Sequence, residues 1–148
     1  MGNVLEFLEL TAVSVWLGSV VFFSFFVAPT LFRSLGTETA GKAVRAIFPR
    51  YYLLGIVCGT VLCAVHVMRG VLWYWGGMIR PSIVLFGLLT LLAVYARHWL
   101  TPAVNAARDA GEAGKVEFDK LHKRSVRING LLLLCLVFHL SWMAMRGY

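Results

Sequence analysis

Apolar residues fall in four blocks along the chain, at about residues 4–32, 51–75, 82–100 and 128–145. Each block is near the ~20 residues that a helix needs to cross the hydrocarbon of a bilayer. Polar stretches at 33–50 and 101–127 separate them, with a short turn around Gly76, Gly77, Arg80 and Pro81. The pattern predicts an all-α integral membrane protein. It is a four-helix bundle of antiparallel spans, forming a single transmembrane domain over residues 1–148. Within the first polar stretch, Ala40, Val44, Ile47 and Phe48 recur at i, i+4, i+7 and i+8. This spacing predicts a short helix lying in the headgroup region. The third stretch is expected to be helical in two pieces, divided by Gly111 and Gly114.

Local signals refine the boundaries. Pro29 is expected to kink or end the first span, and Pro49 to break the chain before the second, because proline lacks an amide donor and clashes with the carbonyl four residues back. Tyr51 and Tyr52 at one end of the second span, and Trp73, Tyr74 and Trp75 at the other, read as interfacial aromatic belts. Arg97, His98 and Trp99 read as an interfacial anchor closing the third span. The first block reads as a span rather than a signal peptide, since its start carries Glu6 and Glu9 and no Lys or Arg.

Composition narrows the class. Hydrophobic residues are 59 % and charged residues 14 %, against about 45–50 % and about 25 % in soluble domains. Disorder and an ordinary soluble enzyme domain are both excluded. The net charge is +7, and in a membrane protein it reports orientation rather than nucleic-acid binding. Eleven of the fourteen Lys and Arg residues lie in 33–50 and 97–127. The positive-inside rule then places both termini outside and loops 33–50 and 101–127 in the cytoplasm. The expected partner is the bilayer, with anionic headgroups on the cytoplasmic side. Cys58, Cys63 and Cys135 all lie within apolar blocks and read as reduced thiols.

Three constellations carry candidate chemistry. In the second span, Gly55 and Gly59 form a G-x-x-x-G pair suited to a close helix contact, with a homodimer as one option. His66 lies within about 20° of both glycines around the helix. In the fourth span, Cys135, His139 and Met143 share a face. Counting depth from the inner loops brings His66 and Cys63 near the level of His139. Thiol, imidazole and thioether suit copper(I), and two histidines could hold haem b; no cofactor is assigned. Across the mouth of the fourth span, His122, Ser125 and Asn129 share a face, as an inter-helix clamp or a polar ligand site. Glu6 and Glu9 read as simple charge partners of Arg69, Arg80 and Arg146 at the membrane edge.

The order of motifs is also informative. W-x-G at Trp16, A-P-T-L-F-R-S-L from Ala28, I-F-P-R-Y-Y-L-L-G from Ile47, and then Phe118, Leu121, His122, Ser125 and Asn129 resemble the transmembrane protein 205-like family. That resemblance implies a four-span bundle and the handling or export of a small cationic or soft-metal compound, and it supplies no catalytic residues. No nucleotide loop, hydrolase triad or zinc-helix motif is present, so the expected function is not enzymatic. The alternatives are a haem- or quinone-associated redox bundle on His66 and His139, and an accessory subunit bound to anionic lipid.

Overall fold

The computed structural model describes residues 2–73 and 79–145. The side chains of the belt at 73–75, the turn at 76–80 and Arg146 lie outside what is described. Among the described residues the chain is entirely helical: α1 (Gly2–Phe22), a π turn (Phe23–Val27), α2 (Ala28–Trp73), α3 (Ile79–Tyr95), a second π turn (Ala96–Leu100), α4 (Thr101–Asp109), a 3-10 turn (Gly111–Gly114) and α5 (Lys115–Met145).

Among the described residues three helices, rather than the expected four, are long and apolar enough to cross a membrane: Gly2–Leu72, Pro81–Asp109 and Gly111–Met145. The first two expected spans run together through 33–50, where Gly36 alone leaves the helical conformation. That stretch is helical and continuous with α2, so no separate interfacial helix exists there. Its apolar face is turned inward, with Ala40 fully buried and Val44, Ile47 and Phe48 packed on the core. The departure from helix comes instead at Gly36 (φ 70, ψ 169), a backbone region open almost only to glycine. The chain folds back around this point. Phe23 meets Phe48, Trp16 meets Gly55, and Glu9 meets His66 and Arg69, each pair nearly symmetric about Gly36. Gly2–Leu72 is therefore two antiparallel limbs, and four helical limbs pack side by side.

The prolines act differently from expectation. Pro49 lies inside α2 without ending it, and its neighbours Phe48, Tyr51 and Tyr52 pack on one another. At Pro29 and Pro102 the helix widens rather than ends. Each proline follows a π turn by two residues, and the residue between donates its amide five residues back, Ala28 to Phe23 and Thr101 to Ala96. A π turn absorbs the ring clash that an α-helical carbonyl would suffer.

The core runs along the centre of the bundle through Val13, Trp16, Leu62, Phe86, Ala93, Leu132 and Leu136. The outward faces are also apolar: Phe7, Phe22, Phe26, Val84, Leu91, Leu134 and Phe138 are all largely exposed. A water-soluble protein rarely shows so much exposed apolar surface, whereas a bilayer would cover it. Tyr51 and Tyr52 do not form an interfacial belt. Both are buried.

Candidate functional site

Glu9 sits on the face of α1 that also carries Leu5, Ala12, Val13 and Trp16, all buried. A carboxylate at the centre of an apolar face is forced into the bundle. It is 2 % exposed, and His66 and His139 beside it are each 3 % exposed. His66 comes from α2 and His139 from α5, so three limbs converge on one carboxyl group.

His139 Nε2 lies 2.8 Å from Glu9 Oε1 and donates a hydrogen bond to it. His66 Nε2 lies 3.4 Å from the same oxygen. Arg69, one turn beyond His66, ion-pairs with the other oxygen, Oε2. His66 Nδ1 is 2.9 Å from the Leu62 carbonyl. A carbonyl only accepts, so Nδ1 carries the proton in this geometry. In the neutral ring that leaves a lone pair on Nε2, pointing at a carboxylate oxygen. Phe86 closes one side, with its ring 5.5 Å from His66 and 4.7 Å from His139 between centroids.

The ligand atoms of Glu9, His66 and His139 lie within 4.8 Å of one another. Two of these three residues were expected as a pair, and the structure brings their rings to 5.8 Å between centroids. His66, not Cys63, is level with His139. Neither Cys63 nor Cys135 belongs to this group, and Met143 is buried one turn beyond His139. A haem between the two histidines would have to displace Glu9, which already stands between them. Glu9 was read as a membrane-edge charge partner. It does pair with Arg69, but from inside the bundle, while Glu6, one turn earlier, is exposed. The signal that marks Glu9 out was present: it lies at i+4 from Leu5 and at i−3, i−4 and i−7 from Ala12, Val13 and Trp16, on a single 3.6-residue stripe.

Gly55 and Gly59 are a helix contact within the chain. A methyl on Gly55 would stand 2.7 Å from Trp16 Nε1, and one on Gly59 would collide with Thr90. Trp16 fills the groove, so these glycines offer no face to a second copy.

The triplet at the other end of the bundle divides. Asn129 Oδ1 accepts from the Tyr51 hydroxyl at 3.2 Å and the Tyr52 hydroxyl at 3.4 Å, and Ser125 Oγ lies 3.3 Å from the Tyr52 hydroxyl. These four residues clamp α5 to α2. His122 is exposed and stacks flat on Phe118. With Ser125 it borders a partly open cleft of about 130 Å³, lined also by Phe23, Phe32, Phe48 and Arg108.

The family described as a domain of unknown function (DUF4149) matches residues 11–113. The chain belongs to this family. A protein of Aquifex aeolicus (strain VF5), described as uncharacterized, is 33 % identical to this DUF4149 member over 131 residues, covering 87 % of this chain and 89 % of that protein. Neither match points specifically to the transmembrane protein 205-like group. No solved structure matches.

Proposed function

We propose that this chain is a multi-pass membrane protein that takes a small cation into a site inside its helix bundle. The single observation that carries this reading is the burial of Glu9 with His66, His139 and Arg69 gathered around it. Ionisable side chains within a span are expensive, and where they occur they mark ion paths and ligand sites. A buried carboxylate with an adjacent imidazole lone pair is an arrangement that gains from a cation placed between them.

The reading includes four crossings, since the two limbs on either side of Gly36 each have the length of a span. It also includes outside termini and cytoplasmic loops at 33–50 and 101–127, supported by the distribution of Lys and Arg. In that orientation Glu9 lies toward the outer end and the Tyr–Asn clamp toward the cytoplasm. The basic inner loops suit anionic headgroups. A tie to the transmembrane protein 205-like group remains part of this proposal, resting on the motif order. The soft-metal form of that idea loses support, because the thiols stand apart from the buried carboxylate.

The test is flux in proteoliposomes carrying an internal pH dye or a metal-quenched dye. Wild-type protein should admit protons or metal cations, and Glu9→Gln should reduce the rate to that of empty vesicles. Equal rates for wild type and empty vesicles, with every cation tried from both sides, would dismiss the reading.

A further inference from the structure

We propose that Glu9, His66 and His139 are the ligands of one first-row divalent transition-metal ion, and that Arg69 is a resident counter-ion which this metal displaces from Glu9. The inference rests on the reading of this site as a cation site and names the cation and its exchange partner.

The distances fit a coordination sphere. Metal bonds to imidazole nitrogen and carboxylate oxygen are about 2.0–2.2 Å, so two ligand atoms on a tetrahedral ion stand about 3.4 Å apart. His66 Nε2 and Glu9 Oε1 are already at 3.4 Å. His139 Nε2 and Glu9 Oε1, at 2.8 Å, need to open by only about 0.6 Å, set against that same ~3.4 Å edge. Direction fits as well. The Leu62 carbonyl holds the Nδ1 proton of His66 and so presents Nε2 as a lone pair, which is the outer-shell device that orients metal-binding histidines. His139 becomes a ligand by moving its proton from Nε2 to Nδ1, with no net loss of protons.

The donor set selects the ion. Two imidazoles and one carboxylate suit zinc, iron(II), cobalt(II) and their neighbours, and three protein ligands leave positions open for water or a further group. Copper(I) prefers thiolate and thioether, and the thiols are not part of the group.

Charge balance explains Arg69. With neutral histidines, Glu9 supplies one negative charge to the buried centre, and Arg69 cancels it at Oε2. A dication and a guanidinium on the two oxygens of one carboxylate would repel strongly in a medium of low dielectric. They therefore take turns. Arg69 can leave, because its side chain is 23 % exposed and lies one turn beyond His66, near the end of α2. Its long stem can carry the guanidinium outward to the interface. The site then alternates between an arginine-neutralised empty state and a metal-loaded one.

The experiment uses the full chain in nanodiscs, with cobalt(II) chloride as probe and zinc chloride as competitor. Wild type should bind one cobalt per chain with visible d–d absorption, and zinc should erase it. Glu9→Gln, His66→Asn and His139→Asn should each weaken cobalt at least about 100-fold, beyond the effect of losing an outer-shell partner. Arg69→Gln should bind cobalt at least about tenfold more tightly, since a competing charge is gone. A tighter site cannot come from misfolding, so this variant guards against failure of the others to fold. Unchanged or weaker binding in Arg69→Gln overturns the exchange. No d–d band at millimolar cobalt, or copper(I) binding abolished by Cys63→Ser, overturns the ligand set. Proton or monovalent flux that depends on Glu9 in a chain binding no cobalt or zinc would overturn this inference and leave the cation-site reading standing. Absence of both flux and metal would remove the two together.

Discussion

The bundle buries polar groups at two levels, and the two are built on opposite principles. At one level, Tyr51 and Tyr52 of α2 meet Ser125 and Asn129 of α5, all neutral, with the tyrosine hydroxyls, the serine and the Asn129 carbonyl oxygen bonded to one another. At the other, a carboxylate, a guanidinium and two imidazoles converge, with Arg69 and His139 donating to the two oxygens and the Nε2 lone pair of His66 facing one of them. The first arrangement is complete as it stands and contributes adhesion between helices. The second holds charge inside a bundle whose outer faces are apolar, and one imidazole nitrogen faces its neighbour at a distance too long for a good hydrogen bond. The polar cluster that gathers charge, rather than the one that pairs neutral groups, is the candidate ligand site.

The largest effect is expected from breaking the charged cluster on one side. Glu9→Ala leaves Arg69 half-buried without a counter-charge, and removal of one partner of a buried pair typically costs about 3–5 kcal/mol. Arg69 can swing outward, which places this case at the lower end. Adding Arg69→Leu to Glu9→Leu should restore most of the loss, since apolar replacements of buried ion pairs are often neutral or better. Unfolding by steric trapping in bicelles measures both. A double variant as unstable as Glu9→Ala would mean that the carboxylate supports the fold as well as a ligand.

The neutral cluster should respond more weakly and without a functional signature. Asn129→Leu removes two hydrogen bonds, stranding the Tyr51 hydroxyl and leaving Tyr52 with Ser125, and inter-helix hydrogen bonds in membranes average about 0.6 kcal/mol each, so a loss of about 1 kcal/mol is expected. Cobalt affinity should stay within about twofold, because Asn129 and His139 lie nearly three turns, about 15 Å, apart along α5. A large fall in cobalt affinity in Asn129→Leu would erase the functional contrast between the two levels.

How much of this was legible in the sequence depends on what kind of signal each residue leaves. Helices and an apolar exterior follow from the hydrophobic blocks, because a chain with 59 % hydrophobic residues has few other ways to satisfy its backbone in a bilayer. A turn was legible as the polar stretch 33–50, but not that Gly36 rather than Gly41 would take the positive φ. Pro29 and Pro49 misled because proline need not end a helix: a π turn precedes the first, and α2 runs on through the second. Tyr51 and Tyr52 look like belt residues until the partner helix is known, because Ser125 and Asn129 lie more than seventy positions away. His66 and His139 were found by depth counting along two helices. Glu9 was missed because sequence position near the N-terminus suggested the membrane edge, while its helical stripe pointed inward. For a polar residue in a span, the company on its own face is a better guide than its distance from the terminus.

The smallest effect separates buried charge from exposed charge. Arg45 grips Asp109 with two contacts, NH2 to Oδ1 at 2.7 Å and NH1 to Oδ2 at 3.1 Å, and so ties the basic stretch of α2 to the end of α4. Arg108 reaches the Thr37 carbonyl at 2.9 Å and adds a second tie. The Asp109 side chain is 64 % exposed, and ion pairs of this kind are screened by salt, with a Debye length of about 10 Å at 0.1 M and about 3 Å at 1 M. Amide protection of residues 101–109 should therefore fall slightly as salt rises, and Asp109→Asn should remove that dependence. The Glu9 side chain is only 3 % exposed, and buried pairs are screened much less than exposed ones, so amides around His66 should change far less over the same titration. Salt-sensitive exchange near His66 would show that the outer site is open to solvent, and that the charged level of the bundle resembles the surface more than the core.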